Sequence, residues 1–81
     1  MSNTIIVKVT MPVEDYMNRR SGPYLAAEAL AVEHGGRWLG GGTDMFTYTS
    51  DVDYIVPDEG TAAALIDALK GVGLAGKVVR L

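Results

Sequence analysis

The chain has no cysteine, a single histidine, a single tryptophan, a single phenylalanine and three prolines in its 81 residues. Without cysteine, neither a disulfide nor a thiolate metal site can reinforce the core. With His34 as the only histidine, a paired-histidine zinc site is excluded, and any Ser-His-Asp arrangement would rest on that one residue. No apolar run approaches the roughly 20 residues that a membrane-crossing helix requires. Met1-Ser2-Asn3-Thr4 lacks the basic stretch that opens a secretory signal, so a cytoplasmic protein without membrane association is expected. Basic residues are missing between Arg37 and Lys70, the interval that holds Asp44, Asp51, Asp53, Asp58, Glu59 and Asp67. With a net charge of −3, direct nucleic-acid binding is not expected; an acidic face that meets a basic partner is.

What is present is ordinary for a folded domain: 48% apolar and 21% charged residues, in a length that suits one domain spanning residues 1–81. Ile5, Val7, Val9 and Met11 alternate with Lys8 and Thr10, which predicts a strand, with Ile6 out of pattern, ended by Pro12. A polar connection follows, with room for one helical turn around Asp15 to Met17. Pro23 suits a first helical position, and the stretch to His34 predicts a helix whose core stripe is Leu25, Ala29 and Val32, widened by Ala26 and Leu30. Gly35 is the expected residue just beyond its end. Arg37-Trp38-Leu39 reads as a short strand, and Gly40-Gly41-Gly42-Thr43-Asp44 as the turn of a hairpin. Met45 to Val56 fits one bent strand, or two strands turning at Ser50-Asp51. Asp58 caps a second helix with Ala62, Leu65, Ile66 and Leu69 inward, stopped by Gly71, and Lys77 to Leu81 forms a last strand. The order β-α-β-β-α-β predicts an α+β fold, the ferredoxin-like plait, with an antiparallel sheet and two helices on one face.

Two glycine-rich stretches invite a nucleotide reading. Gly71, Gly73 and Gly76 satisfy G-x-G-x-x-G, and Gly71 to Lys77 satisfies G-x-x-x-x-G-K. A phosphate loop must run from a strand into a helix N-terminus, where free N–H groups converge, whereas this stretch runs from a helix into a strand. Val78 also stands where magnesium needs a hydroxyl. The cluster from Gly35 to Gly42 fails the same test of direction. Its Gly40, Gly41 and Gly42 are instead expected to form a flexible loop that reshapes against a partner. Asp51 and Asp53 form a D-x-D without the further oxygen ligands of a calcium loop. No metal, cofactor or catalytic set is assigned.

Ile5 to Leu39, with Pro12-Val13-Glu14-Asp15-Tyr16 after the first strand and His34-Gly35-Gly36-Arg37-Trp38-Leu39 leading the second, resembles the dimeric α+β barrel proteins. That resemblance covers under half of the chain and departs after Gly42. It implies a ferredoxin-like fold and dimerisation sheet to sheet, and carries over no catalytic residue. In type, being compact, acidic and cysteine-free, the chain is similar to small phage-encoded inhibitors such as anti-CRISPR proteins, and to toxin-neutralising immunity proteins. The leading expectation is a non-catalytic inhibitor that occludes a larger protein or ribonucleoprotein with a basic surface. Asp44, Asp51, Asp53, Asp58 and Glu59 would steer association, and Trp38, Tyr48 and Tyr54 are the candidate anchors. The alternative is a dimeric barrel that binds or transforms a small apolar metabolite, with His34, Tyr16 or Tyr48 near its cavity.

Overall fold

The computed structural model describes residues 4–81; the N-terminal residues read above for targeting, 1–3, lie outside it. The chain is α+β. Strand β1 (Ile5–Pro12) leads through a one-turn helix α1 (Val13–Met17) to α2 (Gly22–Glu33), then β2 (Arg37–Asp44), β3 (Thr49–Val56), α3 (Glu59–Gly71) and β4 (Ala75–Arg80). The four strands form one sheet in the order β2-β3-β1-β4, with every neighbouring pair antiparallel. This arrangement is compatible with a ferredoxin-like plait, with a short third helix added after β1.

Period-2 alternation sets the two faces of the sheet. Val7, Val9 and Met11 of β1 and Val52, Tyr54 and Val56 of β3 face the helices and are buried with Tyr24, Ala27 and Ala31 of α2 and Ala62, Leu65 and Leu69 of α3. Each large side chain withdrawn from water here contributes about 1.5–3 kcal/mol. The opposite face carries Ile6, Lys8 and Thr10 of β1, beside Ile55, Asp53 and Asp51 of β3. Ile6, out of pattern in the sequence, is 5% exposed on this face, where Ile55 and Val79 are its cross-strand neighbours.

The helix ends follow their local chemistry. The Ser21 hydroxyl accepts from the Tyr24 N–H at the start of α2, and the Asp58 carboxylate accepts from the Thr61 N–H at 2.7 Å at the start of α3. That hydrogen bond, made by the charged form, lowers the Asp58 pKa below the usual carboxylate value. Gly35, at φ +75°, leaves α2 in the left-handed region. Gly71 does not stop α3 as expected. The helix includes it, Val72 is the cap, and Gly73 at φ +80° turns the chain away.

Three further expectations need correction. The buried face of α2 is Tyr24, Ala27 and Ala31, while Leu25, Ala29 and Val32, read as its core stripe, are exposed. Nearly every position of this helix is apolar, so the pattern does not fix which side turns inward; small alanines at 27 and 31 allow the closest approach to the sheet. Gly40, Gly41 and Gly42 form no turn but lie within β2, paired with Asp53, Val52 and Asp51. The turn is Met45 to Tyr48, so neither the single bent strand nor the turn at Ser50-Asp51 occurs. A register shift between Trp38 and Gly40 leaves Leu39 as an extra residue, a bulge that re-phases the strand.

Candidate protein-contact end

The β2–β3 turn contains no glycine, proline or asparagine, and is held by other means. The Asp44 carboxylate accepts from the Phe46 N–H at 2.8 Å, and Tyr48 adopts φ +55°, an unusual conformation for a side chain of its size. Thr47 and Thr49 share a hydroxyl–hydroxyl bond of 2.7 Å, and the Val13 N–H donates to the Tyr48 carbonyl at 3.0 Å, fastening the tip to the start of α1. Below the tip, the Tyr16 hydroxyl lies where a side chain at Gly41 would project, so the absence of one leaves room for the Tyr16 ring of α1 against the edge strand. Tyr16 in turn meets Tyr24 at 6.3 Å between ring centroids, and the Arg19 guanidinium sits 5.7 Å from the Tyr24 ring.

The outcome is a braced turn that presents apolar side chains to water. Phe46 is 98% exposed, and Met45 and Tyr48 are about two-thirds exposed. Met17, at the end of α1, is exposed as well. Single apolar residues on a surface are ordinary; here a fully exposed phenylalanine is flanked by an exposed methionine and an exposed tyrosine in one turn.

The residues singled out from the sequence are scattered across the molecule. Tyr54 is 2% exposed in the core and is withdrawn as an anchor; burial, with Tyr24 and Glu28 nearby, pushes its hydroxyl above the ordinary tyrosine value. Trp38 is opposite Tyr54 on the helix-bearing face yet 56% exposed, because β2 is an edge. Tyr48 lies in the turn. The carboxylates do not form one acidic face. Asp51 and Asp53 are neighbours on the open sheet face, where the Lys8 ammonium lies 3.9 and 3.8 Å from them and the Thr10 hydroxyl donates to Asp51 at 2.9 Å. Asp44 braces the tip, Asp58 caps α3, and Glu59 is ion-paired with Arg80. Met45 and Phe46 were not assigned as contact residues. The available signal was Asp44 two residues before Phe46, the spacing of a side chain that closes its own turn.

Other parts of the surface offer less chemistry. His34 ends α2 with its Nδ1 2.8 Å from the Leu30 carbonyl, while Tyr48 lies beyond the far end of β2, roughly 25 Å of extended chain away. These two do not share a cavity. A depression lined by Thr4, Ile5, Glu59, Arg80 and Leu81 lies at the end of the sheet opposite the tip and holds one ion pair. Among the described residues, no group of three or more histidine, aspartate or glutamate side chains is placed to hold a metal ion, and no helix is long and apolar enough to cross a membrane. No protein-family model, curated protein or solved structure matches the chain.

Proposed function

We propose that this chain is a non-catalytic protein-binding module built on a ferredoxin-like plait, acting by occluding a surface of a larger macromolecular partner. The observation that carries the reading is the braced, fully exposed Phe46 between Met45 and Tyr48. A rigid aromatic offered on a pre-formed turn gains contact area with little loss of freedom, which favours the use of Phe46 as an anchor. Asp44 lies beside it and Glu14 follows Val13, whose N–H is bonded to the tip; these carboxylates suit a partner with basic groups around an apolar pocket. Inhibition of the anti-CRISPR or immunity-protein type is the biological form this takes in the proposal.

The barrel alternative draws less support from the same geometry. A dimeric barrel enclosing an apolar metabolite needs an apolar open sheet face, and here Lys8, Lys77, Asp51 and Asp53 cross its middle.

The test is quantitative capture from an extract of the native host with immobilised wild-type chain, Phe46→Ser and Lys70→Ser, the last lying on α3. A partner retained by wild type and Lys70→Ser but lost with Phe46→Ser supports the proposal. A partner held equally by all three, or none held by wild type, refutes it.

A further inference from the structure

We infer that the free edge of β2 pairs antiparallel with the β2 of a second copy of this chain, joining two sheets into one. Four observations carry this, and one of them shares Asp44 with the turn.

The first is that the edge is open. β2 is an eight-residue terminal strand of the sheet, and among the described residues no strand pairs with its outer side. Between its terminal Arg37 and Asp44 it carries no charge and no proline, two of the devices that commonly keep an edge from pairing, although it has a third, the bulge at Leu39. The other edge, β4, carries Lys77 and Arg80. The second is the strand's centre: Gly40, Gly41 and Gly42 put no side chain in the way of an approaching backbone.

The third observation is charge complementarity within one strand. Arg37 pairs with Ile55 and Asp44 with Thr49, so both charged residues lie on the open face of the sheet, along with Gly40 and Gly42. They share a face only because the bulge at Leu39 shifts the phase. A two-fold axis through Gly41, perpendicular to the sheet, sets Gly40 opposite Gly42, Trp38 opposite Thr43 and Arg37 opposite Asp44, each pair on a common face. Two Arg–Asp pairs result, one at each end of the joint. Arg37 makes no ion pair within its own chain among the described residues.

The fourth is the exposed apolar flank of α2. Leu25, Ala29 and Val32, at i, i+4 and i+7, are exposed, as are Trp38 and Leu39 of β2. α2 packs against β2, whereas α3 packs against β4. A two-fold axis perpendicular to the sheet keeps both copies of α2 on the same side and brings them to the joint. There the flank of each can cover the Trp38 of the other, adding apolar area to the strand pairing.

The experiment is sedimentation equilibrium of the full chain from low micromolar to millimolar concentration, with Arg37→Asp and the exchanged double variant Arg37→Asp/Asp44→Arg, each checked for folding by circular dichroism. Wild type is expected to dimerise within this range. Arg37→Asp sets like charges against each other at both ends and is expected to weaken the dimer roughly a hundredfold, and the exchange is expected to restore it. Amide hydrogen exchange in residues 37–44 is expected to slow as the dimer forms. A wild-type chain that stays monomeric at millimolar concentration overturns the inference. A dimer indifferent to Arg37→Asp, or residues 37–44 protected by an added extended peptide but never by self-association, overturns it equally.

Discussion

The run Gly40-Gly41-Gly42 contains its own controlled experiment. All three glycines lie in β2, and alanine in place of each adds one methyl group. At Gly40 and Gly42 that methyl meets nothing within 4 Å. At Gly41 it would stand 2.5 Å from the Asp51 carbonyl oxygen and 2.9 Å from the Tyr16 hydroxyl. The tyrosine can swing aside at the expense of its packing on the strand, but the carbonyl belongs to the paired neighbour β3 and must retreat by about 0.5 Å to clear 3.0 Å. At the open positions, alanine reduces the freedom of the unfolded chain and should stabilise by about 0.4–1 kcal/mol. At Gly41 the same gain is set against over-packing of about 1–3 kcal/mol plus the disturbed Tyr16 contact, for a net loss of about 1–3 kcal/mol. Urea unfolding at one fixed protein concentration, followed by the fluorescence of the only tryptophan, reads this directly. With a slope of about 1 kcal/mol per molar, the Gly41→Ala midpoint should fall by about 1–3 M while those of Gly40→Ala and Gly42→Ala rise slightly. Three equal midpoints would refute the explanation of why β2 holds glycine at 41 and how Tyr16 sits against it.

Further outcomes are expected elsewhere. Gly76→Ala sets a methyl 3.1 Å from Ile66 and Leu69 side chains beneath α3 and should destabilise by about 1–2 kcal/mol in the same assay, less than at Gly41 relative to the open sites, because side chains yield more readily than backbone. Phe46→Ser should leave stability within about 0.5 kcal/mol of wild type, since the ring touches water rather than core. The Tyr54 hydroxyl ionises more readily in the unfolded chain than in the folded one, so stability should decline as pH rises above the ordinary tyrosine value of 10.0 and towards the higher folded value. Tyr54→Phe should flatten that alkaline decline in urea midpoints measured between pH 8 and 11. Asp58 has the opposite sign: its lowered pKa stabilises the fold above the ordinary carboxylate value and the benefit disappears as pH falls through the folded value, so Asp58→Ala should lower Tm at neutral pH and weaken the acid dependence.

The parts of the fold written as strict alternation were legible. β1 and β3 alternate over buried and partly open positions, and α3 shows Ala62, Leu65 and Leu69 inward because its polar residues leave one apolar side. α2 was misread because its apolar residues surround it; nothing local distinguishes Leu25 from Ala27, and the sheet selects the face that approaches most closely. The turn was misplaced for a related reason. Met45 to Tyr48 has the composition of a strand, and its geometry comes from the Asp44 side chain and a left-handed Tyr48, while three glycines that read as a turn are accepted by an edge strand with space to fill. The candidate site inherits that error, since the exposed tip is legible only once the turn is placed. The acidic interval divided because sequence proximity says nothing of register: Asp51 and Asp53 of β3 meet Lys8 on the neighbouring β1, and Glu59 meets Arg80.

The central claim, that the Phe46 end of the molecule is where a partner binds, is tested most directly by site-specific photo-crosslinking in an extract of the native host. A benzophenone side chain is placed at Phe46 in one sample and at Asp67, exposed on α3, in another. One discrete adduct is expected from position 46, suppressed by excess unlabelled wild-type chain, and none from position 67. An adduct from position 67 alone, or the same products from both positions, would contradict it.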